Sequence, residues 1–146
     1  MKVNEKIGGG VYMCNMFLNY INAIIKPGSY GGNTPVNRLG GLRHSHTNIE
    51  ICYYIPLPKS TKAEYEAVEY HAKMMMLRNF PELTHMGNDH LAFKSTKEEH
   101  KTRVKFYCEQ YILIVKEYCE RYNIAYEEPV FNHGYKKGGI RGKKKS

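Results

Sequence analysis

Two segments of this chain open on nearly the same five residues, Ser60-Thr61-Lys62-Ala63-Glu64 and Ser95-Thr96-Lys97-Glu98-Glu99. A Ser or Thr followed three residues later by Glu lets each satisfy a backbone N–H that a helix's first turn leaves orphaned. Thr61 with Glu64, and Ser95 with Glu98, therefore predict two helix starts. Behind the first, Tyr65, Val68, Ala72 and Met75/Met76 recur at helical spacing until Pro81, so a helix is expected over 60–80. Behind the second, Val104, Tyr107/Cys108, Tyr111, Val115, Tyr118 and Tyr122 line one side of a helix running to about Tyr122. The repeated start reflects capping chemistry and not duplication. Two amphipathic helices need a layer to pack on, and the front half of the chain has to supply it.

That half reads as strand. Residues 10–18, GVYMCNMFL, are bulky enough for a buried strand, and 20–25, YINAII, reads as its partner, stopped by Pro27-Gly28. SYGGN reads as loop, and TPVNRLGGLRH opens with Thr34 as N-cap and Pro35 at the first helical position. The segment 47–58, TNIEICYYIPLP, is the strongest strand, rich in β-branched and aromatic residues and closed by Pro56 and Pro58. PELTHMGNDH reads as loop before the short apolar HLAFK, and NIAYEEPVF can add a last strand. The order predicts an α+β domain, a small mixed β-sheet with helices against it and a long C-terminal helix.

At 146 residues the chain fits one domain with a real core. The expected organisation is an N-terminal segment over 1–9, a single domain over 10–135 with its core at 10–94 and a helical extension at 95–135, and a basic disordered tail over 136–146. No apolar run approaches the roughly 20 residues of a membrane span, and MKVNEKIGGG lacks a signal-peptide core. A cytoplasmic protein with no membrane partner is the expectation. Cys14, Cys52, Cys108 and Cys119 are too widely spaced for a disulfide framework and read as reduced, mostly core residues. MMM at 74–76 reads as core filler.

The net charge is +8, and its placement says more than its size. Lys136, Lys137, Arg141, Lys143, Lys144 and Lys145 carry six positive charges with no acid among them, leaving about +2 on the rest of the chain. Such a Gly/Lys/Arg tail suits sequence-independent attraction to phosphates through counterion release, or simple solvation of the chain.

Four separated features then fall in a recognisable order: Gly10-Val11-Tyr12 on the first strand, Lys26-Pro27-Gly28 after the second, Arg38-Leu39 in the first helix, and Glu69 in the helix after the third strand. This resembles the GIY-YIG nuclease superfamily, especially its phage and bacterial branch with a KIG-type second motif. GNDHLAF at 87–93 is similar to that branch's glycine-and-acid segment. The second tyrosine of the family name is replaced by Ile25 or Lys26, with Tyr30 displaced nearby. The resemblance implies a metal-dependent endonuclease hydrolysing phosphodiesters, its partner DNA and its origin phage or mobile element. It implies Tyr12 as the phenol that helps deprotonate water, Arg38 as the cation on the phosphate, and Glu69 as the ligand of Mg²⁺ or another divalent cation. His44 is implied as an auxiliary phosphate contact or proton donor, and Lys26 and Arg43 join the tail cations in binding nucleic acid.

The chemistry is coherent, because a phenol near pKa 10 needs an adjacent cation to gain phenolate character, and one carboxylate plus waters suits magnesium. Each residue also has a plainer reading: a half-buried strand tyrosine, a surface arginine, a solvated helix acid. Glu66 lies one turn before Glu69 and is its rival. His44 and His46 form a His-x-His that, with His71, His85 and His90, could hold zinc instead. A catalytically inactive nucleic-acid-binding or regulatory protein on the same fold is the alternative function.

Overall fold

The computed structural model describes residues 8–17, 22–32, 35, 50–87 and 89–131. The first helix expected at Thr34–Pro35, and the tail over 136–146, lie outside them.

Among the described residues six strands form one sheet: β1 Gly9–Phe17, β2 Asn22–Gly31, β3 Glu50–Leu57, β4 Thr84–Met86, β5 His90–Lys94 and β6 Val130–Phe131. Two helices accompany them, α1 Lys62–Asn79 and α2 Lys97–Arg121. The spatial order is β4-β5-β2-β1-β3-β6, and every adjacent pair is antiparallel. The fold is α+β as expected, but the sheet is antiparallel and not mixed. The reason is topological: β2 and β3 run the same way, yet β1 lies between them and opposes both.

The sheet has two differently used faces. Val11, Met13, Ala23, Ile25, Tyr53, Ile55, Leu57, Leu91 and Phe93 face the helices and close the main core with Tyr65, Val68, Ala72 and Met76 of α1 and Val104, Tyr107, Cys108, Tyr111, Val115 and Cys119 of α2. Strand alternation sends Tyr12, Cys14, Met16, Ile24 and Tyr30 to the opposite face, where they form a second cluster.

β2 does not stop at Pro27-Gly28; it continues to Gly31, pairing with β1 throughout. β5 covers only Asn22–Ile25, so past that point β2 has a single described neighbour, and a residue without an N–H costs little there. Gly28 serves packing instead of termination. Tyr12 lies flat over it, and a Cβ at Gly28 would run into the Tyr12 hydroxyl and ring. Two register positions along, Tyr30 covers Gly10 in the same way. Two tyrosines thus lie reciprocally across the β1–β2 ribbon, each on the other strand's glycine.

The helix starts follow the capping logic with one correction. Thr61 and Glu64 make the expected reciprocal box, with bonds of 3.1 and 2.9 Å. In the second helix the N-cap is Thr96, accepting from the Glu99 N–H at 3.2 Å, one residue later than the expected Ser95–Glu98 pair. Ser95 is buried and donates to the Thr96 carbonyl instead. At the other end Cys119 takes the core position, and Tyr122 is exposed. Of the three methionines, Met76 is core and Met74 is exposed. The loop after Pro81 contains β4, which turns through Asp89 at φ +63° into β5. β6 fulfils the expected last strand, pairing with Tyr53 and Tyr54. All four cysteines are free thiols, and no described helix is long and apolar enough to cross a membrane.

Candidate active site

Helix α1 has one apolar stripe, and Glu69 sits on its flank, next to buried Val68 and one turn before buried Ala72. A carboxylate there is neither solvated like a surface acid nor fully enclosed. Its pKa is pushed up to about 7, first by burial and then by the nearby Asp89 charge, with Glu66 adding slightly; Lys73 and Lys26 oppose the rise. Oε2 of Glu69 is buried and has no hydrogen-bond partner among the described residues. Glu66, the rival on the same helix, is exposed.

Around Glu69 the chain gathers groups from four other places. Lys73 follows it by one turn on α1, is 9% exposed, and forms an ion pair with Asp89 at the β4–β5 turn. Burial raises the Asp89 pKa, but the hydrogen bond and charge of Lys73, with help from Lys26 and His85, outweigh it and hold the carboxyl below its ordinary value. Lys26 of β2 is 8% exposed, and its charge opposes the rise of the Glu69 pKa and helps to hold down that of Asp89. From α2, the fully buried Tyr111 contributes a hydroxyl with no hydrogen-bond partner among the described residues. Burial raises its pKa well above 10, and Glu69, Tyr12 and Asp89 add to the rise, so the phenol stays neutral.

Tyr12 meets this group at the Tyr111 phenol, whose pKa it raises together with Glu69 and Asp89. It is fully buried in the cluster on the far face of the sheet, whereas Glu69 rides on the helix layer of the near face. Arg38, His44, Arg43, His46 and the cations of 136–145 lie outside the described residues. No family model matches the chain, and no curated protein or solved structure does either.

The described histidines do not assemble a zinc site. His71 packs its ring on Tyr118 at 4.4 Å, with its pKa lowered by burial and by Arg121. His85 is exposed and His90 half-buried on the β4–β5 hairpin. Among the described residues no three His, Cys, Asp or Glu side chains are placed to share a metal. Glu69 has a carboxylate oxygen without a hydrogen-bond partner among the described residues, the donor type that a hard divalent cation such as magnesium takes.

Three neighbours of Glu69 were not among the candidate site residues from sequence: Lys73, Asp89 and Tyr111. Lys73 was legible in principle, as a lysine at i+4 from a glutamate. Asp89 falls in the glycine-and-acid segment but had no role assigned. Tyr111 reads only as packing, since nothing in a helical repeat distinguishes a core phenol from one beside a carboxylate.

Proposed function

We propose that the chain is a metal-dependent endonuclease hydrolysing DNA phosphodiesters, with Glu69 holding a divalent cation. One observation carries the reading: a half-buried carboxylate with an orphaned oxygen and a pKa near 7, on a helix packed against the β1–β2 pair that bears GVY and KPG. An acid poised there exchanges a proton or a cation near neutral pH at little cost. When bound, magnesium would neutralise phosphoryl oxygens and lower the pKa of its water. Lys73 and Asp89 hold the surroundings of Glu69 in place, and Lys26 balances the two acids. Arg38 and His44 would supply phosphate contacts, and the basic tail would add affinity without sequence choice.

The test is nicking of supercoiled plasmid with Mg²⁺. Cutting that is lost in Glu69→Ala and kept in Glu66→Ala supports the reading, whereas cutting unchanged by Glu69→Ala refutes it. Tyr12→Phe separates two roles for the phenol, since loss of cutting makes it catalytic and retention assigns it to packing on Gly28.

A second reading has its own observation. Complete burial of Tyr12 and near-complete burial of Lys26 remove two expected site groups from solvent, which favours a nucleic-acid-binding protein without hydrolysis. That protein would bind DNA, lose binding when 136–146 is deleted, and cut nothing.

A further inference from the structure

On α1 the residue directly after Glu69 is a tyrosine that turns outward. Tyr70 is 60% exposed, and Met74, one turn later on the same side, is 42% exposed. A lone surface aromatic needs no explanation. This one shares a cation with the carboxylate cluster. Lys73 lies between the two in sequence and is buried; its ammonium pairs with Asp89 and stands over the Tyr70 ring, 5.4 Å from the centroid.

The ion pair decides how the ring is held. Asp89 at the β4–β5 turn fixes the ammonium, and the ammonium attracts the electron-rich face of the phenol. One face of Tyr70 is thereby turned to the protein, and its exposed area belongs to the other face and the edge. Met74 adds an exposed, polarisable thioether one turn away. A ring set in place this way loses little further freedom when a ligand lies on it, so contact there costs less entropy than on a free side chain.

The shape and charge of this surface select its occupant. A flat ring with one open face takes another flat ring, whereas branched apolar side chains want a cleft. The chain carries a net charge of +8, which draws polyanions. A base inside a duplex has both faces covered by its neighbours, and unstacking it costs energy; an unpaired base has a face to give.

We propose that Tyr70 is a stacking platform for an unpaired nucleobase beside the phosphate handled at Glu69, with Met74 against the edge of that base. The proposal rests on the nucleic-acid reading above and adds its substrate class: strands with an unstacked base at the point of contact, in preference to uninterrupted duplex. Stacking of this kind tolerates any base, because every base has a π-face.

The experiment uses the whole chain in EDTA, where no metal-dependent cutting occurs. It measures binding of a labelled DNA strand of about 12 nucleotides carrying one 2-aminopurine, and of the blunt duplex made from it. In wild type the strand binds more tightly than the duplex and the 2-aminopurine emission is quenched. Tyr70→Ala weakens strand binding about tenfold, leaves duplex binding unchanged and restores the emission. Tyr70→Leu does the same, since bulk without a ring does not stack, and Tyr70→Phe behaves as wild type. Deleting 136–146 weakens strand and duplex alike and keeps the quenching at saturation. Equal wild-type affinity for strand and duplex, emission still quenched in Tyr70→Ala, or a leucine variant as good as wild type would each overturn the proposal. Plasmid nicking with Mg²⁺ tells the two readings apart. Nicking by wild type with no effect of Tyr70 on strand binding overturns the platform alone, and no binding of either DNA overturns both. Stacking without nicking upholds the platform while the hydrolytic reading fails.

Discussion

Replacing Glu69 by glutamine removes a charge while keeping the side chain's shape. In the folded chain Glu69 releases its proton at about 7, against 4.5 for an ordinary glutamate. Because the folded value is the higher one, the folded state holds a proton that the unfolded state has lost between those limits. The stability gained from this is full below pH 4.5 and is lost as pH rises through 7. The gap spans about 2.5 pH units, and at 1.36 kcal/mol each the cost of ionising Glu69 in place is about 3.4 kcal/mol. The group keeps some solvent contact, which screens the effect to about 2 kcal/mol. Glu69→Gln should therefore match wild type below pH 4.5 and exceed it by about 2 kcal/mol at pH 8, a rise of about 6 °C in Tm for a chain of this size. Urea denaturation at pH 4.5 and 8 reads the difference directly. The groups facing Glu69 (Asp89, Lys73, Lys26, Glu66 and the Tyr111 phenol) are unchanged in both proteins, so the comparison isolates the one carboxyl. A glutamine variant less stable than wild type at pH 8, or one that keeps the wild-type pH dependence, would refute the account. Adding Mg²⁺ at pH 8 should stabilise wild type and leave the variant unmoved. A residue that costs stability and is needed for cutting would fit the usual trade between the two.

Three further outcomes are expected. Asp89→Asn leaves the buried Lys73 ammonium without its carboxylate, costing about 2 kcal/mol in denaturant; the Glu69 pKa should also fall toward 4.5 in a ¹³C carboxyl titration, since a like charge has gone and a cation is released. Gly28→Ala should cost about 1–3 kcal/mol through the clash with Tyr12, and the loss should shrink in a Tyr12→Leu background. Thr61→Ala removes one half of the capping box and should cost about 1 kcal/mol, without affecting the pH dependence assigned to Glu69.

The helices were the most legible part of the fold, because capping chemistry and apolar spacing are local. Even so, Ser95-Thr96 offered two adjacent N-caps with acids three residues after each. Tertiary packing chose Thr96 by burying Ser95. Strand β2 was misread at its end since Pro-Gly signals a turn only when no tyrosine is waiting to lie on the glycine. That fact resides in β1, sixteen residues earlier. β4 is three exposed residues with no apolar pattern, so only its pairing with β5 defines it. For the site, the place of Glu69 on the flank of the apolar stripe was legible from helical spacing, and it lies half-buried there while Glu66 is exposed. The partners of Glu69 were not, because the β4–β5 turn, Lys26 and Tyr111 come together through sheet order and helix crossing, which no single window of sequence contains.

The borders of the sheet have a consequence for how copies of this chain treat one another. Strand β4 spans three residues and β6 two, while the long strands lie inside. Among the described residues a neighbouring molecule arriving edge-on would find two or three peptide groups on the outermost strands, and its longer target would be residues 26–31 of β2, beyond the reach of β5, where Pro27 offers no N–H. The proline on that stretch thus has a second use, as a gap in the row of donors that another copy would need.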